Sequence, residues 1–256
     1  SIVLAGLLGV VFPVCEYAIV PVVRRLLQKG MPMGSAVAFL LGGPIVNPLV
    51  FASTLVAYSF SWEVAILRVV SGFGIAVSVG ILIDGLFSRQ TALIEASSPP
   101  ACTCCHPDQA PGHAGTRDRF LSAVSHGAQD FYAISKFLII GAFIAAALQT
   151  FVPRQAIVAV MTTPVTAIVL MMALAVMLNL CSEADAFISA SFQPMGIPLS
   201  AQLSFMVLGP MLDIKLILMY LTVFSKKMIL ALTLITLFMV TVSMLFFEVS
   251  QWLWRT

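Results

Sequence analysis

Long apolar runs, rather than alternating ones, organise this chain. Val64–Phe87, Phe131–Phe151, Pro164–Leu180 and Met228–Phe247 each approach the ~20 apolar residues that carry a helix across a bilayer. Ala36–Phe60 and Ala201–Phe224 are as long but interrupted, the first at Gly42-Gly43-Pro44 and Pro48, the second at Gly209-Pro210. Ser1–Phe12 reads as the end of another span. The ~10-residue alternating segments of a membrane barrel are absent. In lipid every backbone N–H and C=O needs a partner within the protein, so these runs predict an all-α, polytopic helical membrane protein. Each proline inside a run removes a donor, and the carbonyl it frees must find another partner.

Between Ser88 and Gln129 the pattern changes to Ser98-Pro99-Pro100, Cys102-Thr103-Cys104-Cys105-His106-Pro107 and Pro111-Gly112-His113. This polar stretch divides the chain into a first membrane repeat over 1–88, a Cys/His-containing loop over 89–128 and a second membrane repeat over 129–256. Composition agrees with a lipid solvent: 60% of residues are hydrophobic and 9% charged, against about a quarter charged in soluble domains. The net charge of +2 and the lack of a basic patch argue against a nucleic-acid partner.

The halves resemble each other. Residues 30–49 (GMPMGSAVAFLLGGPIVNPL) align without gaps on 196–215 (GIPLSAQLSFMVLGPMLDIK), 166 residues on. Gly30/Gly196, Pro32/Pro198, Phe39/Phe205, Gly43/Gly209 and Pro44/Pro210 are identical, Asn47 stands over Asp213, and Cys15 over Cys181. Internal duplication of this kind marks secondary-transporter architecture. Charge suggests its sense. Arg24, Arg25 and Lys29 precede the first broken run, whereas Lys226 and Lys227 follow the second. Because Lys and Arg stay cytoplasmic, the two runs are expected to point in opposite directions, as an inverted repeat with broken helices. This places the loop in the cytoplasm and Trp252-Leu253-Trp254 at the outer interface, with Arg154 a mild exception. Gln129–Thr163 has no counterpart in the first half. The chain also starts mid-run without Met, so it is expected to be truncated at its N-terminus.

Three groups of residues carry candidate chemistry. The first is Cys15-Glu16 with its counterpart Cys181-Ser182-Glu183-Ala184-Asp185. Carboxylates at membrane depth are costly and mark function, and thiolates bind soft metals and metalloids. Two Cys related by the repeat would face each other across a pseudo-twofold axis. The alternative is that the thiols are small buried hydrophobes and Ser182-Glu183 caps a helix. The second group is the pair of breaks, where Pro44 with Asn47, and Pro210 with Asp213, would present helix ends to a charged solute. Lys215, two residues beyond Asp213, would not share its helix face. The alternative is a kink used for packing. The third is Cys102, Cys104, Cys105 and His106, a dense set of soft ligands whose spacing matches no folded zinc module. A linker with incidental thiols fits equally well. Arg68 and Lys136, near the starts of two spans, are expected to snorkel, or Arg68 to pair with Glu63.

Pro13-Val-Cys15-Glu-Tyr-Ala-Ile-Val-Pro21, Leu26-Leu-Gln-Lys-Gly30-Met-Pro32, Ala38-Phe39-Leu40 through Pro44 and Asn47-Pro48 resemble the bacterial predicted-permease family that includes ArsP-type organoarsenical efflux permeases. So do Cys181-Ser-Glu-Ala-Asp185-Ala-Phe187, Phe205 and Gly209-Pro210-Met211-Leu212-Asp213-Ile-Lys215. The resemblance implies a multi-pass inner-membrane permease that exports a metal or metalloid species, either a trivalent organoarsenical or a divalent cation such as zinc. Tyr17 stands where many members carry a second Cys, which shifts the implied site toward a mixed carboxylate–thiol set. Transport would proceed by alternating access, with Glu16, Glu183 and Asp185 as proton carriers, since no ATPase motif is present. No resident cofactor is expected. The expected partners are the bilayer, a small ionic or metalloid solute, and a further copy or an accessory soluble protein. A channel or membrane subunit that works only with a partner is the rival. An intramembrane enzyme is disfavoured, because no G-x-S-x-G or H-E-x-x-H occurs and every His, at 106, 113 and 126, lies in or beside the loop.

Overall fold

The computed structural model describes residues 2–11, 16–87, 163–178 and 180–255, and among them the regular elements are helices. In the first half they are α1 (Ile2–Val11), α2 (Ile19–Gln28), α3 (Met33–Gly42), α4 (Pro48–Ala57) and α5 (Trp62–Leu86). In the second they are α6 (Pro164–Leu178), α7 (Ser182–Ala190), α8 (Leu199–Leu208), α9 (Ile214–Tyr220) and α10 (Lys226–Arg255), with a 3-10 turn at Gln193–Met195. The run Phe131–Phe151 and the loop 89–128 lie outside the described residues. Among the described residues, two helices are long and apolar enough to cross a membrane, Trp62–Leu86 and Lys226–Gln251.

The pattern of exposure is inside out. Leu230, Leu234, Phe238, Val242, Phe246, Val249 and Leu253 form a continuous exposed apolar stripe along α10. Glu16, Asn47, Arg68, Asp185, Gln202 and Asp213 are each at most 3% exposed. Water would penalise that outer face; lipid does not.

Both interrupted runs break where glycine and proline predict. All ten residues of α3 are buried, as are Ser200–Leu208 of α8, so each is an interior helix rather than an amphipathic one. Helix α3 packs on α1, α2 and α5; α8 packs on α6, α7 and α10. The five identities have local reasons. Gly30 and Gly196 both take positive φ, 106° and 75°, which an L side chain resists. Pro32 and Pro198 sit at the N-caps with nearly equal angles (φ −59°, ψ 145° and φ −60°, ψ 147°). The N–H groups of Gly43 and Gly209 donate to Phe39 and Phe205 at 2.9 and 3.1 Å. Past each proline the chain closes in the same way, Val46 N–H onto the Gly42 carbonyl and Leu212 N–H onto the Leu208 carbonyl, at 3.0 and 2.9 Å.

In the long helices the spacing becomes 164. Val64, Ala65, Arg68, Gly72, Ala76 and Gly80 are buried on α5, and Met228, Ile229, Leu232, Thr236, Val240 and Met244 on α10. Asp84 and Glu248 continue the match: Asp84 Oδ1 accepts the Gly34 N–H at 2.8 Å, and Glu248 Oε2 accepts the Ser200 hydroxyl at 2.5 Å. Gly34 and Ser200 are themselves 166 apart, so each long helix holds the start of its interior helix at the same place.

Candidate functional site

The acidic segments meet where the halves join. Cys15 lies outside the described residues, but Glu16, next along the chain, is buried, and its Oε2 accepts the Ser182 hydroxyl at 3.3 Å. These two residues are 166 apart: position 16 touches its own counterpart. Asp185 is 1% exposed. Glu16 Oε1 and Asp185 Oδ2 are both buried without a hydrogen-bond partner among the described residues. Glu183 is half-buried beside the Cys181 thiol. Cys181 itself is exposed and stands at the N-cap of α7; the cap position expected of Ser182 is displaced by one residue.

Each helix that restarts after a break is capped by its polar residue. Asn47 Oδ1 accepts the Leu49 N–H at 2.9 Å, and Asp213 Oδ1 accepts the Leu216 N–H at 2.5 Å. Such caps satisfy an otherwise orphaned donor of the first turn. Asp213 does more. Its Oδ2 accepts the Tyr17 hydroxyl at 2.7 Å, and Lys215 Nζ lies 5.5 Å from the Tyr17 ring centroid, within cation–π range. The Asp213 segment is thus tied to the Glu16 segment across the molecule. Pro44 and Pro210 are buried at their breaks.

Arg68 departs from its expected place at the membrane surface. It is 1% exposed. Its Nη1 donates to Thr54 Oγ1 at 2.7 Å, and its Nη2 to the Ser182 and Met206 carbonyls at 2.8 and 3.2 Å. The reason is in the backbone. Met206 would bond the N–H four residues on, but that residue is Pro210. Arg68 supplies the donor that proline removes. No carboxylate bonds it directly among the described residues; Asp185 is the acidic group that acts on it most strongly. The phase of its helix could have revealed this, since position 68 lies in register with Ala65, Gly72 and Ala76.

A second polar seam was also missed. The Tyr58 hydroxyl donates to Gln202 Oε1 at 2.8 Å and lies 2.9 Å from the Ser189 hydroxyl, while Gln202 Nε2 donates to the Ile197 carbonyl at 2.8 Å. With Arg68 and Thr54, this seam joins α4 and α5 to α7 and α8. No three His, Cys, Asp or Glu side chains form a metal-ligand set among the described residues. Cys102, Cys104, Cys105 and His106 lie outside them.

Comparison with known proteins agrees with this inside-out helical architecture. Residues 1–249 match a family described as predicted permease. UPF0718 protein YcgR of Bacillus subtilis is 39% identical over 236 residues, 90% of this chain and 75% of that protein. A Streptococcus mutans protein, provisionally named as a two-component membrane permease complex subunit, is 36% identical over 223 residues, 87% of this chain and 71% of its own. No solved structure matches.

Proposed function

We infer that this chain, which belongs to the predicted-permease family, is a multi-pass secondary permease of the bacterial cytoplasmic membrane whose solute path runs along the junction of two inverted halves. The carrying observation is the contact between Glu16 and Ser182, 166 residues apart. A residue that touches its own counterpart lies on the twofold axis relating the halves. In inverted-repeat transporters the solute binds at the interface of the repeats, against helix ends exposed by breaks. The buried carboxylates Glu16 and Asp185 stand at that junction, each with an oxygen unpartnered among the described residues; with Glu183 they are the proton carriers of the proposed cycle.

The cargo we propose is a metal or metalloid species, zinc or a trivalent organoarsenical, moving outward. A transport site must release what it binds, so a transient hold by Glu16, Asp185 and the Cys15 and Cys181 thiols is sufficient. The loop cysteines Cys102, Cys104 and Cys105 with His106 would collect cargo on the cytoplasmic side. The name of the Streptococcus mutans relative favours a second reading, in which the chain works as one subunit beside an accessory protein.

The test is growth of a metal-sensitive host expressing the full-length protein, challenged with zinc, arsenite and methylarsenite. Wild type raises tolerance to at least one of them, and Glu16→Gln, present in the membrane at equal level, does not. Equal tolerance of the two sinks the site. Activity in liposomes only after the accessory protein is added selects the subunit reading.

A further inference from the structure

Helices α2 and α3 form an antiparallel hairpin, and its two ends fix how deep α2 sits. At one end Ile19 Cδ1 stands 2.6 Å from the position a Gly43 Cβ would take, so α2 begins beside the Gly43-Pro44 break. At the other end Lys29 N–H donates to the Arg25 carbonyl and Met31 N–H to the Leu26 carbonyl, both at 3.1 Å. Gly30 turns the chain into α3 there, at positive φ. Each helix has ten residues and is therefore about 15 Å long. The hydrocarbon slab is ~30 Å thick, and the broken helices of transporters break near its midplane. From the break, α2 climbs half the slab and ends at its rim. Lys29 stands at the rim, with Arg24 and Arg25 about one turn inside it.

The two faces of α2 differ. Ile19, Val20, Val23 and Leu27 are buried, whereas Val22, Arg24, Arg25, Gln28 and Lys29 are exposed. The helix carries no acid. Arg24 with Gln28, and Arg25 with Lys29, are spaced i, i+4 and share one side of the helix. A base near a helix C-terminus also answers the helix dipole, but this scaffold does not need one. In the other half the chain turns at Gly196, again at positive φ, and Ala190, Ser191, Pro194 and Met195 take the places of Arg24, Arg25, Gln28 and Lys29. One rim carries three cations where the equivalent rim carries none.

A cation one turn inside the slab is costly in hydrocarbon. It reaches outward on its own aliphatic stem. The anions at that level are lipid headgroup phosphates, which a guanidinium binds through paired N–H donors. A soluble partner would reach Lys29 but not Arg24 and Arg25. Val22, 41% exposed on the same helix, offers a surface to the acyl chain. We propose that the outer face of α2, through Arg24, Arg25 and Lys29, binds an anionic phospholipid by its phosphate. The proposal rests on the membrane reading of the fold but not on transport, so a chain that moves no solute would still bind the lipid.

The experiment is thermal unfolding of the purified full-length protein in neutral detergent, with dioctanoyl phosphatidylglycerol or dioctanoyl phosphatidylcholine titrated in. Phosphatidylglycerol is expected to raise Tm by about 5–10 °C at ~100-fold excess over Kd, and phosphatidylcholine to leave it unchanged. Arg24→Ala/Arg25→Ser/Lys29→Met, which copies the other half, is expected to lose the response while its Tm in detergent alone stays near wild type. Lys226→Gln/Lys227→Gln is expected to keep it. If the triple variant fails to fold, Arg25→Ser and Lys29→Met decide singly, each weakening the apparent affinity about fivefold; unchanged affinity in both overturns the proposal. Equal shifts with the two lipids overturn it, as does a folded triple variant that responds like wild type. An equal shift with glycerol 3-phosphate assigns the face to free phosphate and overturns it too. No lipid response, with an accessory protein that co-purifies with wild type and not with the triple variant, makes the face a protein interface instead.

Discussion

The break at Gly43-Pro44 and the break at Gly209-Pro210 share a backbone and differ in what surrounds it. Ile19 packs at the first, its Cδ1 2.6 Å from where a Gly43 Cβ would stand. At the second its counterpart is Asp185, whose Oδ2 lies against the Cβ position of Gly209. On the long helices the counterparts are Leu232 and Arg68. At the first break the neighbouring side chain is therefore apolar, and at the second a buried acid and a buried base stand close. Side chains alone turn one scaffold into two environments.

The most severe way to break this comparison is to make the second break resemble the first. Arg68→Leu leaves the Met206 and Ser182 carbonyls without their donor and Asp185 without its cation. Leaving a buried acceptor unpaired costs about 1–3 kcal/mol, read as a loss of folded protein in denaturant titrations in detergent. Arg68→Leu/Asp185→Ile, which copies Leu232 and Ile19, is expected to recover the part of the loss that comes from the uncompensated Asp185 charge, while the two carbonyls stay unpaired. A double variant as unstable as the single would separate Asp185 from Arg68 and undo the comparison.

Methyl groups added at the breaks sharpen it. Gly43→Ala meets Ile19 Cδ1 at 2.6 Å and the Phe39 carbonyl at 2.7 Å, for an overpacking cost of about 1–3 kcal/mol. Ile19→Val is expected to restore part of this in thermal unfolding. Gly209→Ala presses on the Asp185 carboxylate, and Asp185→Ala is expected to give no relief, since it strands Arg68.

The smallest effect lies at the caps. Asn47→Ala loses one cap, about 0.5–2 kcal/mol. Asp213→Ala also removes the acceptor of the Tyr17 hydroxyl and is expected to cost about 1 kcal/mol more. Coupling near zero in a Tyr17→Phe/Asp213→Ala double-mutant cycle would show that the tie between the halves carries no energy.

Much of the scaffold was legible beforehand because it is written in backbone chemistry. Gly30 and Gly196 mark left-handed turns, Pro44 and Pro210 mark missing donors, and both are visible in any alignment of the chain on itself. The two long helices were legible from apolar length. Arg68 turns inward because phase around its helix outweighs position along it: near a helix start a long basic side chain has two destinations, and the burial of Ala65, Gly72 and Ala76 decides between them. Tyr58, Gln202 and Ser189 gave no local signal. Their bonds join residues more than 130 apart in the chain, Tyr58 to Ser189 by 131 and to Gln202 by 144, and single polar residues in apolar runs do not announce their partners.

The contact between Glu16 and Ser182 also bears on ancestry. In a homodimer of two identical half-length chains, whatever stands on the axis meets its own copy, so an acid there would face an acid and a base at position 68 would be matched by a second base. Joining the halves in one gene lifts that constraint. Glutamate on one side can then be answered by serine on the other, and arginine by leucine. The two halves can then differ in charge, which two equal subunits could not encode.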